Sequence, residues 1–164
     1  MNHEDWGEGP WNNEEDHGVW VDQATDLDCM VNRGPSGALC GYVGVGPDHP
    51  YYGKHYMELE DDDIDVEVHG GLTYSASCEE GGEICHVPAE GREHDIWWFG
   101  FDCAHFMDVA PRMDADLRDI RKRVPSMERA FLEGTDTLGH AQYRDWAYVV
   151  GEVEDLARQL KEME

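Results

Sequence analysis

Ile64, Val66 and Val68 alternate with Asp65, Glu67 and His69, a period of two that puts three aliphatic side chains on one face and three polar ones on the other. Gly70-Gly71 supplies the positive φ angles of a tight turn, and Leu72 to Tyr74 is expected to return as the partner strand, which predicts a hairpin over 64–75. A second hairpin is predicted over 29–45, where the run from Cys29 to Arg33 and the run from Ala38 to Val45 flank the turn residues Gly34, Pro35, Ser36 and Gly37. Between Asp95 and Asp102 the pattern is richest: Trp97, Phe99 and Phe101 share one face, while Ile96, Trp98 and Gly100 share the other. A strand apolar on both faces belongs in the middle of a sheet with both sides covered. Ile84 to Val87 reads as a further short strand.

After His105 the period changes. Leu117, Ile120 and Val124 recur at intervals of three and four, with Pro111 near the start and Pro125 at the end, so a helix is predicted over 114–124 and a second short one from Ser126 to Leu132. Tyr143, Trp146, Val150, Val153, Ala157 and Leu160 repeat at threes and fours and predict a final helix over 141–162. The expected fold class is α+β, a small, mainly antiparallel sheet covered by the C-terminal helices. Residues 1–17, polar and acidic but holding Trp6 and Trp11, read as an irregular arm whose tryptophans dock on the body, and 18–164 as a single domain.

Charge narrows the function classes. The 37 acidic residues against 12 basic ones give a net charge of −25, which argues against binding a phosphate backbone. The one basic run, Arg118, Arg121, Lys122 and Arg123, is interrupted by Asp119 and reads as a helix face paired with the protein's own acids. Lysine is confined to Lys54, Lys122 and Lys161, a pattern that suits a high-salt cytoplasm or a high-GC genome; mimicry of DNA or incidental surface composition would also produce so acidic a chain. Five cysteines, an odd number without CxxC pairs, argue against a secreted disulfide framework. Neither a signal-peptide pattern nor an apolar run of membrane-spanning length occurs, so a cytoplasmic protein is expected. Cys78, Cys85 and His86 offer too few ligands, too far apart, for a separate metal site to be favoured.

Several blocks occur in fixed order: Cys40 to Val45 (CGYVGV), His49 to Lys54, His69 to Tyr74 (HGGLTY), Cys85 to Pro88, and Trp97 to His105 (WWFGFDCAH). As a set, over roughly residues 27 to 108, they resemble a family of small uncharacterised proteins from bacteria and their phages. The resemblance implies a shared architecture and a shared site, and brings no mechanism with it.

Three chemistries compete for those blocks. Asp102, His105 and Asp108 fall at intervals of three and would face one direction on a helix starting just after the strand; with His69 from the neighbouring hairpin they form a ligand set for a divalent metal, zinc first. Such a metal would lower the pKa of a bound water while a carboxylate accepted its proton, a metal-assisted, hydrolase-like site. Alternatively Cys103 is a nucleophile, with His69 or His105 as its base, Asp102 orienting the imidazole and the Gly70 and Gly71 amides stabilising an oxyanion. In the third reading both histidines merely fix a turn between strand and helix. The protein is then a non-enzymatic acidic binding or inhibitory module, a DNA mimic or a phage-encoded host-protein binder. Its partner would be a basic protein, met through the aromatic loop from His49 to Tyr56 or the Trp-bearing arm.

Overall fold

The computed structural model describes residues 3–62, 64–78, 84–85, 95–124 and 141–164. Five strands, β1 (His17–Val21), β2 (Asp28–Arg33), β3 (Leu39–Val45), β4 (Tyr74–Ser77) and β5 (Trp97–Asp102), form one sheet in the order β1-β2-β3-β5-β4. All four pairings are antiparallel. Among the described residues the α-helices are α1 (Tyr56–Asp61), α2 (Pro111–Arg123) and α3 (Trp146–Lys161), preceded by two 3-10 turns at Glu4–Trp6 and Pro10–Asn13. The fold is α+β, as the periodicities predict.

The β2–β3 hairpin turns through Gly34 and Gly37 as expected, closed by the Gly34 N–H donating to the Ala38 carbonyl at 2.8 Å. Strand β5 lies between β3 and β4, and its alternation holds: Phe99 and Phe101 enter the main core, while Ile96 and Trp98 join Met30 and Tyr42 on the opposite face. Helix α3 covers the main face. Asp145 caps it by accepting from the Tyr148 N–H at 2.9 Å, and Val149, Val153, Leu156, Ala157 and Leu160 are buried against the sheet. Each large aliphatic so buried contributes about 1.5–3 kcal/mol of transfer free energy. Close approach of α3 to β3 requires Gly41, where a Cβ would lie 2.5 Å from both Phe101 Cζ and Val153 Cγ2.

Several elements depart from the sequence pattern. Residues 64–68 form no strand, because both edges of β5 are already paired; Ile64, Val66 and Val68 still turn inward against the main core. Gln159 on α3 stands in for a strand partner, its Oε1 accepting from the Glu67 N–H and its Nε2 donating to the Glu67 carbonyl, both at 2.8 Å. Helix α2 starts at Pro111, three residues ahead of the prediction, and it packs on the first 3-10 turn instead of the sheet, with Arg118 donating to the Trp6 carbonyl at 2.7 Å. Strand β1 falls where an irregular arm gives way to the body and is too short to be seen as a pattern of its own. The helix expected from Ser126 to Leu132 lies outside the described residues, as do His86 and Val87 of the short strand predicted over 84–87, while Ile84 and Cys85 belong to no strand.

The arm docks through its aromatics, with Trp6 buried and Trp11 edge-on to Tyr143, and Trp20 of β1 packs against the main core. Arg33, at the end of β2, ties the arm down. Its guanidinium is fully buried and donates to Asp16 at 2.7 Å, to Glu14 at 3.2 Å and to the Tyr143 hydroxyl at 2.8 Å. Cys78 and Cys85 are joined in a disulfide, so their sulfurs are not metal ligands, and Cys29, Cys40 and Cys103 are free thiols.

Candidate functional site

His69 occupies the turn that follows the extended 64–68 segment, and Gly70 and Gly71 complete it with φ of 69° and 84°. The turn brings His69 over the N-terminal half of α3, where its backbone N–H donates to Glu152 at 2.7 Å. Beyond β5 the chain does not enter a helix; Asp108 is held by a turn in which its N–H donates to the His105 carbonyl, and by an isolated parallel bridge to Gln142. This segment and the His69 turn meet edge to edge. The two imidazoles lie 5.3 Å apart, centroid to centroid.

Asp108 is the hub. Its side chain is 1% exposed, and it accepts from His69 Nε2 at 2.7 Å and the His105 N–H at 3.0 Å through Oδ2, and from Arg144 Nε at 3.0 Å through Oδ1. Burial raises its pKa, but the bonds from His69, Arg144 and His105 outweigh that and hold the carboxyl below its ordinary value. An ionised carboxylate only accepts, so His69 Nε2 carries the proton, and in the neutral ring Nδ1 is left as an acceptor. The Tyr148 hydroxyl on α3, 3.1 Å from Nδ1, donates to it in that tautomer. Burial, and the neighbouring Glu152 carboxylate, push the Tyr148 phenol up, while the Arg144 guanidinium lies 4.9 Å from its ring centroid.

An open groove of about 620 Å³ runs along this surface between the 65–71 segment and α3. Asp65, Glu67, Glu152 and Asp155 line it beside His69 and Tyr148.

The structure brings His69, His105 and Asp108 together and leaves Asp102 and Cys103 out. Without a helix after β5, the interval of three does not put Asp102 on the face of His105 and Asp108. Asp102 instead ends the strand, accepting from Thr73 Oγ1 and the Ala104 N–H, both at 3.0 Å. Cys103 is 1% exposed, and burial, followed by the Asp108, Cys40 and Asp102 charges, drives its thiol far above the ordinary range, against a nucleophilic role. The Gly71 amide donates to the Val68 carbonyl at 3.0 Å and is not free for an oxyanion.

Among the described residues, His69, His105 and Asp108 are a group able to hold a metal, with one ligand atom from each within 4.8 Å of the others. His105 Nδ1 is buried with no hydrogen-bond partner among the described residues, 3.5 Å from Asp108 Oδ2. Arg144, Tyr148 and Glu152 were not legible as site residues from an apolar repeat. Their signal is a polar stripe at intervals of four beside the helix's buried face.

No family model, curated protein or solved structure matches the chain, so the block resemblance rests on its motifs alone. Among the described residues no helix is long and apolar enough to cross a membrane.

Proposed function

We propose that the chain carries a hydrolase-like acid–base site centred on His69, with Asp108 and Tyr148 at its two ring nitrogens. The unbroken line from Asp108 Oδ2 through His69 to the Tyr148 hydroxyl carries this reading. Asp108 fixes the tautomer and stabilises the imidazolium, the part an aspartate plays in a Ser-His-Asp triad. A water or hydroxyl bound at Tyr148 gives its proton to the phenolic oxygen as the phenol proton passes to His69 Nδ1.

A divalent metal, zinc by donor type, on His69, His105 and Asp108 is the second reading, favoured by the partnerless His105 Nδ1. Two features weigh against it. His69 Nε2 and Asp108 Oδ2 stand 2.7 Å apart, a hydrogen-bond separation, whereas tetrahedral zinc ligands at about 2.0–2.1 Å from the metal lie roughly 3.3 Å from one another. Arg144 already supplies Asp108 with a cation. Under either reading the acidic groove suits a basic protein segment as ligand, and the three free thiols suit a cytoplasmic setting, to which the Cys78–Cys85 bond is the exception.

Elemental analysis of untagged protein, beside a His69→Ala, His105→Ala double variant, separates the readings. Metal-free protein with ¹⁵N shifts of the Nε2–H tautomer at His69 is the expected result. One equivalent of metal, absent from a folded double variant, overturns the acid–base reading in favour of the metal.

A further inference from the structure

Cys78 follows the last residue of β4, a four-residue strand at the sheet edge, and its N–H extends the β4–β5 ladder by donating to the Ile96 carbonyl at 2.9 Å. The disulfide to Cys85, seven residues on, brings the chain back over the sheet face opposite α3. There Cys78 and Ile84 pack against Met30, Tyr42, Ile96 and Trp98. Both bonded cysteines are half-buried, as is Cys40, whereas Cys29 and Cys103 are sealed in the core. Exchange at Cys78–Cys85 is therefore insulated from Cys29 and Cys103, whereas Cys40 packs on the same cluster and is held back only by the burial that raises its thiol to about 11.

The far end of β4 leads to the candidate site. Thr73 is anchored by its N–H on the Gly100 carbonyl at 2.9 Å and by its hydroxyl on Asp102 at 3.0 Å, and the His69–Gly71 turn immediately precedes Leu72. A short edge strand has few ladder bonds of its own and depends on its end anchors.

We propose that Cys78–Cys85 is a thiol-responsive clasp that sets the order of edge strand β4. A monothiol of the glutathione class attacks one sulfur and releases the other cysteine as a thiolate, giving a mixed disulfide. A second thiol displaces the protein sulfur. The protein S–S bond is lost, one forms between the two small thiols, and two electrons and two protons end on Cys78 and Cys85.

The test is hydrogen exchange on the full chain, oxidised and then equilibrated in reduced glutathione, with free thiols counted by alkylation and mass. The expected result is two additional thiols, at least tenfold faster exchange at the Cys78 amide and along β4, and unchanged protection in β2 and β3. A Cys78→Ser, Cys85→Ser variant should reproduce the reduced pattern in any buffer. Absence of the bond in oxidised protein overturns the proposal. Resistance to millimolar glutathione, equal β4 exchange in both states, or loss of protection throughout the sheet on reduction also overturns it, the bond then being an inert or structural cross-link.

Discussion

The His105 ring lies where a side chain on Gly70 would have to be: a Cβ at Gly70 would stand 2.1 Å from His105 Cε1 and 2.3 Å from Nε2. The turn and the histidine segment close on each other only because position 70 has no side chain. Gly71 shares the positive φ, but a Cβ there meets nothing within 4 Å.

The two glycines therefore separate backbone strain from contact. Gly71→Ala should destabilise by about 1–2 kcal/mol, the strain of a left-handed L-residue. Gly70→Ala should lose roughly 1–3 kcal/mol more through overpacking, and should displace the His105 ring signals in NMR spectra while Gly71→Ala leaves them in place. Urea denaturation of the pair checks the energies; equal losses would break the argument.

Asp108 makes stability depend on acid. Its carboxyl is held below its ordinary value in the folded chain, so its contribution is complete above the unfolded value near 3.8 and is lost as pH falls below that through the folded pKa. Asp16, raised by burial but lowered on balance by neighbouring groups that include Arg33 and His3, adds to the same slope, so the comparison must be with Asp108→Asn. That variant should lose about 3 kcal/mol at pH 7, because Arg144 keeps a partly buried charge without its partner. It should also show a shallower fall between pH 4 and pH 2. Denaturant midpoints across that range measure both.

Arg33→Lys should cost about 3 kcal/mol, since one ammonium cannot reproduce a fork that reaches Asp16, Glu14 and Tyr143 at once. The arm should loosen before the sheet does. Limited proteolysis within residues 3–16 is expected to speed up severalfold, and a cleavage rate equal to that of the parent would refute the anchoring role.

Burial pushes the Cys29 thiol to about 12 and the Cys40 thiol to about 11, with Cys103 higher still. At pH 8 native Cys40 should react with iodoacetamide roughly 100-fold, and Cys29 roughly 1000-fold, more slowly than a free cysteine, the thiolate fractions being that much smaller. Three labels should appear only on unfolding in urea without reductant. Fast labelling of Cys103 in the native state would restore the thiol mechanism.

Local pattern carried most of the fold. The alternation in Trp97–Asp102, the glycine turn between β2 and β3 and the three-four repeat of α3 each describe a face, and a face seeks a partner whatever the rest of the chain does. The two-residue period of 64–68 was equally clear, and its aliphatics do point inward, but which segment pairs with β5 depends on edge competition that no local pattern records. Tyr74–Ser77 holds that edge.

The candidate site divides in the same way. Sequence alone determined that His69 and His105 each close an apolar run, His69 beside the turn glycines Gly70 and Gly71, that Asp108 follows His105 at an interval of three, and that the chain carries a net charge of −25. Tertiary structure decided that Asp102 closes a strand, that Cys103 is buried, and that Tyr148 and Arg144, from a distant part of the chain, reach His69 and Asp108. Periodicity fixes which way a side chain faces along its own element, whereas a hydrogen bond between elements depends on where packing sets their axes and turns.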